Sequence, residues 1–285
     1  MESLNYTKMS GAGNTFIMLD GSDLSAGIDL AMLVPALCEE TMEHGGADGL
    51  IAVDAWDKGD FAMRYFNRDG STGMMCGNGG RCAVRFAYDL GLVDDPAAIT
   101  FTNAGVTYTA MLTEGGVKVS FPDPLQFRLR FPLPLLGASR TCSYADVGTP
   151  HAILFIDDAA QPELEHISQL DLKLWGSELR NHAEFAPGGA NANFVEILPD
   201  RSGILLRTYE RGVEAETGAC GTGAISSAIV ASTLYDLLPP VAVTTSSGGV
   251  LQVDFRRDGE RITDVSLEGD AEVLTSGTIY LSLVT

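Results

Sequence analysis

"MCGNGGRC" spans Met75 to Cys82, and "ACGTGAIS" spans Ala219 to Ser226. Each sets a cysteine against a Gly-x-Gly turn and runs on into a stretch of apolar and small residues. The two lie about half a chain apart. The repetition extends beyond the turns. "GNTFIMLD" (13–20) matches "PHAILFID" (150–157), and "MRYFNR" (63–68) matches "LRTYER" (206–211). Asn67 precedes Cys76 by nine residues and Glu210 precedes Cys220 by ten. After each turn comes a pair of strand-like runs, "ITFTNAGVTYTAML" and "VAVTTSSGGVLQVDF". Four matched pairs in one order predict duplication of one domain. Ordinary α/β alternation is the competing explanation.

The rest of the chain reads mainly as β-rich runs bounded by Gly, Asn and Asp turns, among them "NTFIMLD", "GLIAVDAW", "FAMRYFN", "GVKVSF", "ANFVEIL" and "ITDVSLE". "DLAMLVPALCEETMEH" (29–44) has helical spacing, with an end expected at His44 and Gly45. The segments after the two turns, "CAVRFAYDL" (82–90) and "AISSAIVASTLY" (224–235), are apolar or small on nearly every face. A helix of that kind is buried all round. The expected fold is therefore mixed α/β (α+β): two pseudo-symmetric domains, each a curved sheet or barrel wrapped around a central helix. Expected boundaries are 1–121 plus about 273–285 for the domain carrying Cys76, and 122–272 for the domain carrying Cys220. The Pro-containing stretch "FPDPLQFRLRFPLPLLG" (121–137) reads as the crossover, and "TIYLSLV" as a strand returning to the first domain.

The 285 residues are 45% hydrophobic and 20% charged, which suits a globular chain with a sizeable core. A formal net charge of −20 disfavours nucleic acid and anionic membranes as partners. No secretory signal is visible in "MESLNYTKMSGAG", and "AISSAIVASTLYDLL" is too interrupted by polar residues to span a membrane. A cytoplasmic location is expected. Five cysteines are an odd number for a disulfide framework, and they direct attention to reactive thiols.

A lone cysteine is most often a small buried hydrophobe. Beside a Gly-rich helix start, however, unpaired N–H groups and the helix dipole lower a thiol's pKa and bind an anion such as a carboxylate. Two such turns facing across a cleft would set thiols on both sides of a small anionic substrate. One would take a proton from carbon while the other delivers a proton to the opposite face, which is racemase or epimerase chemistry. Other chemistries fit less well. No Gly-Lys pair exists for a phosphate loop, the Cys76–Cys82 spacing is not a zinc pattern, and the four lysines lie far from both turns. A Cys–His hydrolase using His151 would leave the second turn without a purpose.

These two turns, together with "KMSGAGNTFIMLD", "GGADGLI", "YFNRDGS", "GTPHAILF" and "NANFVEI", resemble the motifs of the diaminopimelate epimerase family. The resemblance runs from about residue 8 to residue 223. It implies cofactor-independent interconversion of LL- and meso-diaminopimelate, in lysine and peptidoglycan precursor synthesis, by a homodimer. It implies Cys76 and Cys220 as the acid/base thiols, with His151 and Glu210 tuning them. Asn14, Asn67, Gly77, Asn78, Thr149, Asn191, Glu210, Arg211, Gly221 and Thr222 would bind the substrate. Cys38, Cys82 and Cys142 read as structural.

Two features depart from the family pattern. Thr149 stands where Asn is common, and the segment between Glu210 and Cys220 is one residue longer than usual. The alternatives are another racemase of the same fold acting on proline, hydroxyproline or histidine, an isomerase of this fold lacking thiols, and a non-catalytic amino acid binding protein. Proline racemases typically carry His after the first Cys-Gly, where this chain has Asn78.

Overall fold

The computed structural model describes residues 3–25, 27–42, 44–72, 75–156, 158, 166–259 and 261–281. The chain divides into two units, Met1–Ser120 with Glu268–Thr285, and Phe121–Leu267.

The first unit contains β1 (Ser3–Gly11), β2 (Asn14–Asp20), α1 (Leu30–Leu37), β3 (Gly49–Ala55), β4 (Phe61–Asn67), α2 (Gly77–Asp89), β5 (Ile99–Asn103), β6 (Val106–Thr113) and β7 (Gly116–Ser120). β1 and β2 are antiparallel, β2 and β3 parallel, β3 and β4 antiparallel, β4 and β5 parallel, and β5, β6 and β7 antiparallel. The period of two along the strands sorts the side chains. Ile17, Leu19, Leu50 and Ala52 pack with Leu30, Val34 and Leu37 of α1. Phe16 and Ile51, of opposite parity, meet the first turn of α2 at Gly79. These strands are therefore buried on both faces and read as continuous apolar runs. α2 touches β1, β2, β3, β4 and β7, so the sheet curves around it.

The second unit repeats this plan. It contains β8 (Gln126–Leu135), β9 (Ala138–Asp146), β10 (Pro150–Phe155), α3 (Leu172–Arg180), β11 (Asn191–Ile197), β12 (Gly203–Glu210), β13 (Ala215–Thr217), α4 (Gly221–Tyr235), β14 (Val241–Thr244) and β15 (Val250–Asp258). β16 (Arg261–Gly269) carries the chain past the division, and β17 (Glu272–Tyr280) pairs with β1 in the first unit. β9–β10 are antiparallel, β10–β11 parallel, β11–β12 antiparallel and β12–β14 parallel, the same succession as β1 to β5. Ala152, Leu154, Ala192 and Phe194 pack with Leu172, Trp175 and Leu179 of α3, on the face corresponding to that of α1. α4 touches β9, β10, β11, β12, β14 and β15 and is buried from Ala224 to Ser232. The duplicated α+β fold read from the sequence is the one observed.

Three local expectations change. The helix expected to reach His44 stops at Leu37. Pro35 lies inside it, and a proline gives no hydrogen bond to the carbonyl of residue 31. The Ala31 carbonyl instead packs so closely on Gly70 that a Cβ there would lie 2.3 Å from its oxygen. The Pro-rich stretch expected as a crossover is mostly strand β8, hairpinned to β9 with Pro132 opposite Thr141 and Pro134 opposite Ser139. A proline in such a hairpin forgoes only the one N–H it lacks. The residues between Glu210 and Cys220 form the short strand β13, which pairs Ala215 with Glu210 and Thr217 with Thr208. That pairing accommodates the longer loop.

Candidate active site

Cys76 and Cys220 are each the N-cap of the central helix in their unit, in extended backbone conformation and with no side-chain capping bond. Their carbonyls accept from the Gly80 and Ala224 N–H groups, at 2.7 and 2.9 Å. Each sulfur therefore sits at the positive end of an enclosed helix. Cys76 is half-buried, whereas Cys220 is 8% exposed. The other three thiols differ in kind. Burial pushes Cys38, Cys82 and Cys142 up to about 12, so none of them ionises near neutral pH.

In the first half-site, Asn78 is buried and its Nδ2 donates to Asn14 Oδ1 at 2.6 Å. Asn14 Nδ2 donates in turn to Asp48 at 3.4 Å, and Asp48 also takes the Thr15 N–H. The Asn78 oxygen accepts from Arg81 Nη2 at 3.1 Å. The "SGAG" turn is shaped around this cluster. Gly11 lies so close to the Asn78 carbonyl that a Cβ there would be 2.8 Å from its oxygen. Ala12 and Gly13 turn with positive φ, and the Ala12 N–H is held by the Asp270 carboxylate at 2.7 Å. Asn67 ends β4 and is bound within its own turn, accepting from Tyr65 Oη (2.7 Å) and donating to Ser71 Oγ (3.0 Å). Asn14 and Asn67 share the α2 side of the sheet by strand parity, since Gly49 pairs with both Phe16 and Asn67.

In the second half-site, parity places His151, Asn191, Asn193 and Thr208 on the α4 side of the sheet, with His151 paired to Asn191 and Asn193 to Thr208. They form a chain. Thr208 Oγ1 donates to Asn193 Oδ1 (2.9 Å), and Asn193 Nδ2 faces His151 Nδ1 (2.9 Å). The amide NH₂ can only donate there, so Nδ1 is the acceptor and Nε2 carries the proton. Nε2 lies 3.0 Å from both Thr149 and Thr222 hydroxyls, and Thr222 Oγ1 lies 3.6 Å from the Cys220 sulfur. Desolvation drives the fully buried His151 down to about 3, so the imidazole is neutral. It meets Cys220 through Thr222 as a fixed dipole.

The Asn191 side chain ties Pro150 O to the Arg211 N–H, at 3.1 and 2.8 Å. Glu210 Oε2 accepts from Thr217 at 2.7 Å. The Arg211 side chain passes Gly188, where a Cβ would lie 3.5 Å from its guanidinium. Gly77 and Gly221 open their helices and are buried. The contacts join Asn14 to Asn78 at the start of α2, and Thr149, His151 and Thr222 beside Cys220, while Asn191 joins Arg211, Asn67 binds within its own turn and Glu210 binds Thr217. Sequence reading missed Arg81, Asp270, Asp48 and Asn193. Only Asn193 carried a signal, the i, i+2 spacing of "NAN" in a strand. Among the described residues no three His, Cys, Asp or Glu side chains cluster to hold a metal ion.

The duplicated fold is shared with solved structures. A phenazine biosynthesis protein of the PhzF family from Bacillus anthracis superposes with a TM-score of 0.76 at 14% identity, covering 98% of this chain and 100% of that one. A hydroxyproline epimerase from Agrobacterium vitis gives 0.65 at 13% identity, covering 98% and 92%. A family model for diaminopimelate epimerase matches residues 6–123 and 143–274. The diaminopimelate epimerase of Chlorobaculum tepidum is 38% identical over 277 residues, 96% of this chain and 100% of the relative. The chain belongs to the diaminopimelate epimerase family, whose members are isomerases.

Proposed function

We propose that this chain interconverts LL- and meso-diaminopimelate, with Cys76 and Cys220 exchanging the roles of base and acid at one α-carbon. The observation that carries the reading is the pair of cysteine N-caps, each on a buried helix of a duplicated unit, in a chain of this family. Helix N–H groups at Gly77–Asn78 and Gly221–Thr222 would hold the α-carboxylate and take up charge as the carbanion forms. Thr222 and Thr149 pass the influence of neutral His151 to Cys220, and a hydroxyl can turn to serve either thiol or thiolate. Asn14, Asn67, Asn191, Glu210 and Arg211 would bind the distal amino acid end, where a carboxylate and a guanidinium complement a zwitterion. Thr149 enters as a support of the thiol's hydroxyl neighbour rather than as a long amide reaching substrate.

The reading includes a homodimer in the cytoplasm working without an organic cofactor. Among the described residues no helix is long and apolar enough to cross a membrane. The test supplies purified protein with LL-diaminopimelate and, separately, L-proline. Turnover of the former alone supports the reading; turnover of proline alone overturns it. Light scattering of the same sample reads the dimer, and a monomeric mass contradicts that part.

A further inference from the structure

Asn193 lies on β11 and is fully buried. One end of its amide faces the carbonyls of Ala152 and Asn191, at 3.3 and 3.5 Å. A carbonyl can only accept, so this end is the NH₂ whatever the state of the imidazole beside it. The other end takes the Thr208 hydroxyl proton at 2.9 Å. The shortest contact of the amide nitrogen, 2.9 Å, goes to His151 Nδ1. Nδ1 is thus held as an acceptor. Burial keeps the imidazole neutral, and the Arg211 charge acts in the same direction, so its one proton sits on Nε2. The consequence runs on to the sulfur. An Nε2–H cannot accept, so the Thr149 and Thr222 hydroxyls, each 3.0 Å away, cannot give it their protons. Thr149 donates to Thr222 instead, at 3.1 Å. The Thr222 proton then has the Cys220 sulfur, 3.6 Å away, as its acceptor.

We propose that Asn193 is a positioning residue that sets the direction of the hydrogen-bond chain ending on Cys220, so that the Thr222 hydroxyl donates to the sulfur. Asn193 acts through His151 and Thr222 and has no need to touch substrate. A donated hydrogen bond stabilises a thiolate more than a thiol. Thr222 can turn to accept from a Cys220 thiol, but its own proton then finds no acceptor on His151. The chain therefore supports Cys220 in the state that removes a proton. This inference rests on reading Cys220 as a proton carrier.

The test has two arms. Two-bond proton–nitrogen correlation spectra of protein carrying isotope-labelled histidine read the tautomer, with the His151 signals identified by their loss in His151→Gln. At neutral pH the proton is expected on Nε2; a wild-type His151 protonated on Nδ1 overturns the proposal. The second arm is alkylation by iodoacetamide from pH 5 to 10, with the Cys220 peptide quantified by mass spectrometry. Thr222→Val should raise the Cys220 midpoint by about one pH unit, the size of a hydrogen bond to a charged group, and Thr222→Ser should leave it near wild type. Asn193→Leu should raise it in the same direction, and adding Asn193→Leu to Thr222→Val should raise it no further, because both remove one donated proton. Groups elsewhere around Cys220 are common to all these chains, so the cycle isolates the bond from Thr222. An unchanged midpoint in Thr222→Val or in folded Asn193→Leu overturns the proposal, and so do additive effects in the double variant, which a merely structural Asn193 would give. If Asn193→Leu does not fold, Asn193→Ser, one atom too short to reach Nδ1, takes its place. Neither arm needs turnover, so failure of the epimerase reading would leave both measurable.

Discussion

The two half-sites share a frame and differ in what stands behind the sulfur. Behind Cys76 runs a chain of amides poled by full charges, from Arg81 through Asn78 and Asn14 to Asp48. Behind Cys220 runs a chain with no full charge, from Thr208 through Asn193 and His151 to Thr222. Duplication accounts for the common helix start and the common sheet. The divergence lies in the side chains that each helix start gathers, charged at one and neutral along the other chain of hydrogen bonds.

The largest expected effect comes from removing either thiol. Cys76→Ala and Cys220→Ala should each lower the inversion rate by about 10²–10⁴-fold, the usual contribution of one positioned acid or base. Steady-state assay of both isomers reads this, and near-normal inversion in either variant breaks the pairing.

Next is a glycine pair at matching positions. A Cβ on Gly223 would lie 2.7 Å from Asn193 Oδ1 and 3.3 Å from the Cys220 sulfur. On Gly79 it would meet the tip of the Ile51 side chain at 2.9 Å, which can move. Gly223→Ala should therefore reduce kcat/KM about tenfold or more, roughly 1.4 kcal/mol, with Gly79→Ala clearly milder. Equal losses would mean that the second chain is no more tightly packed than the first.

A third prediction concerns pH. His151 titrates near 3 in the folded chain against an ordinary value of 6.5. Between those values the unfolded state binds the extra proton, so stability falls as pH drops below 6.5, by at most about 1.4 kcal/mol per pH unit from this group. Denaturant titrations of wild type and His151→Gln should show a shallower acid loss in the variant. Parallel curves would mean that His151 is not held neutral. The smallest effect expected is that of Thr149→Val. It removes one of two hydroxyls on Nε2 and should cost about 0.5–1.5 kcal/mol in stability, read as a shift in the unfolding midpoint.

Much of the frame was legible because it rests on local chemistry. Cysteine N-caps, Gly-x-Gly starts and period-two strands are written in neighbouring residues, and the repeat multiplied a weak signal. The groups that distinguish the halves were harder to read. Arg81 carried no local signal, because the Asp270 carbonyl that it reaches is remote in sequence. Asp270 is remote in sequence from the "SGAG" turn it holds. Asn193 faces His151 only because β10 and β11 are parallel and in register. Pairing of distant strands is not written in either strand alone. The length of α1 was misjudged because the apolar spacing runs on past Leu37, whereas the helix ends there with Cys38 as its C-cap.

The central claim is that two thiols act on opposite faces of one carbon. Inversion of LL-diaminopimelate in deuterated water, stopped at low conversion, tests it most directly. The account predicts that meso product carries one solvent deuterium at the inverted carbon while unreacted substrate carries none, since the acid that delivers is not the base that removes. Deuterium appearing equally in recovered substrate from the first turnovers, or product retaining the original proton, would contradict it.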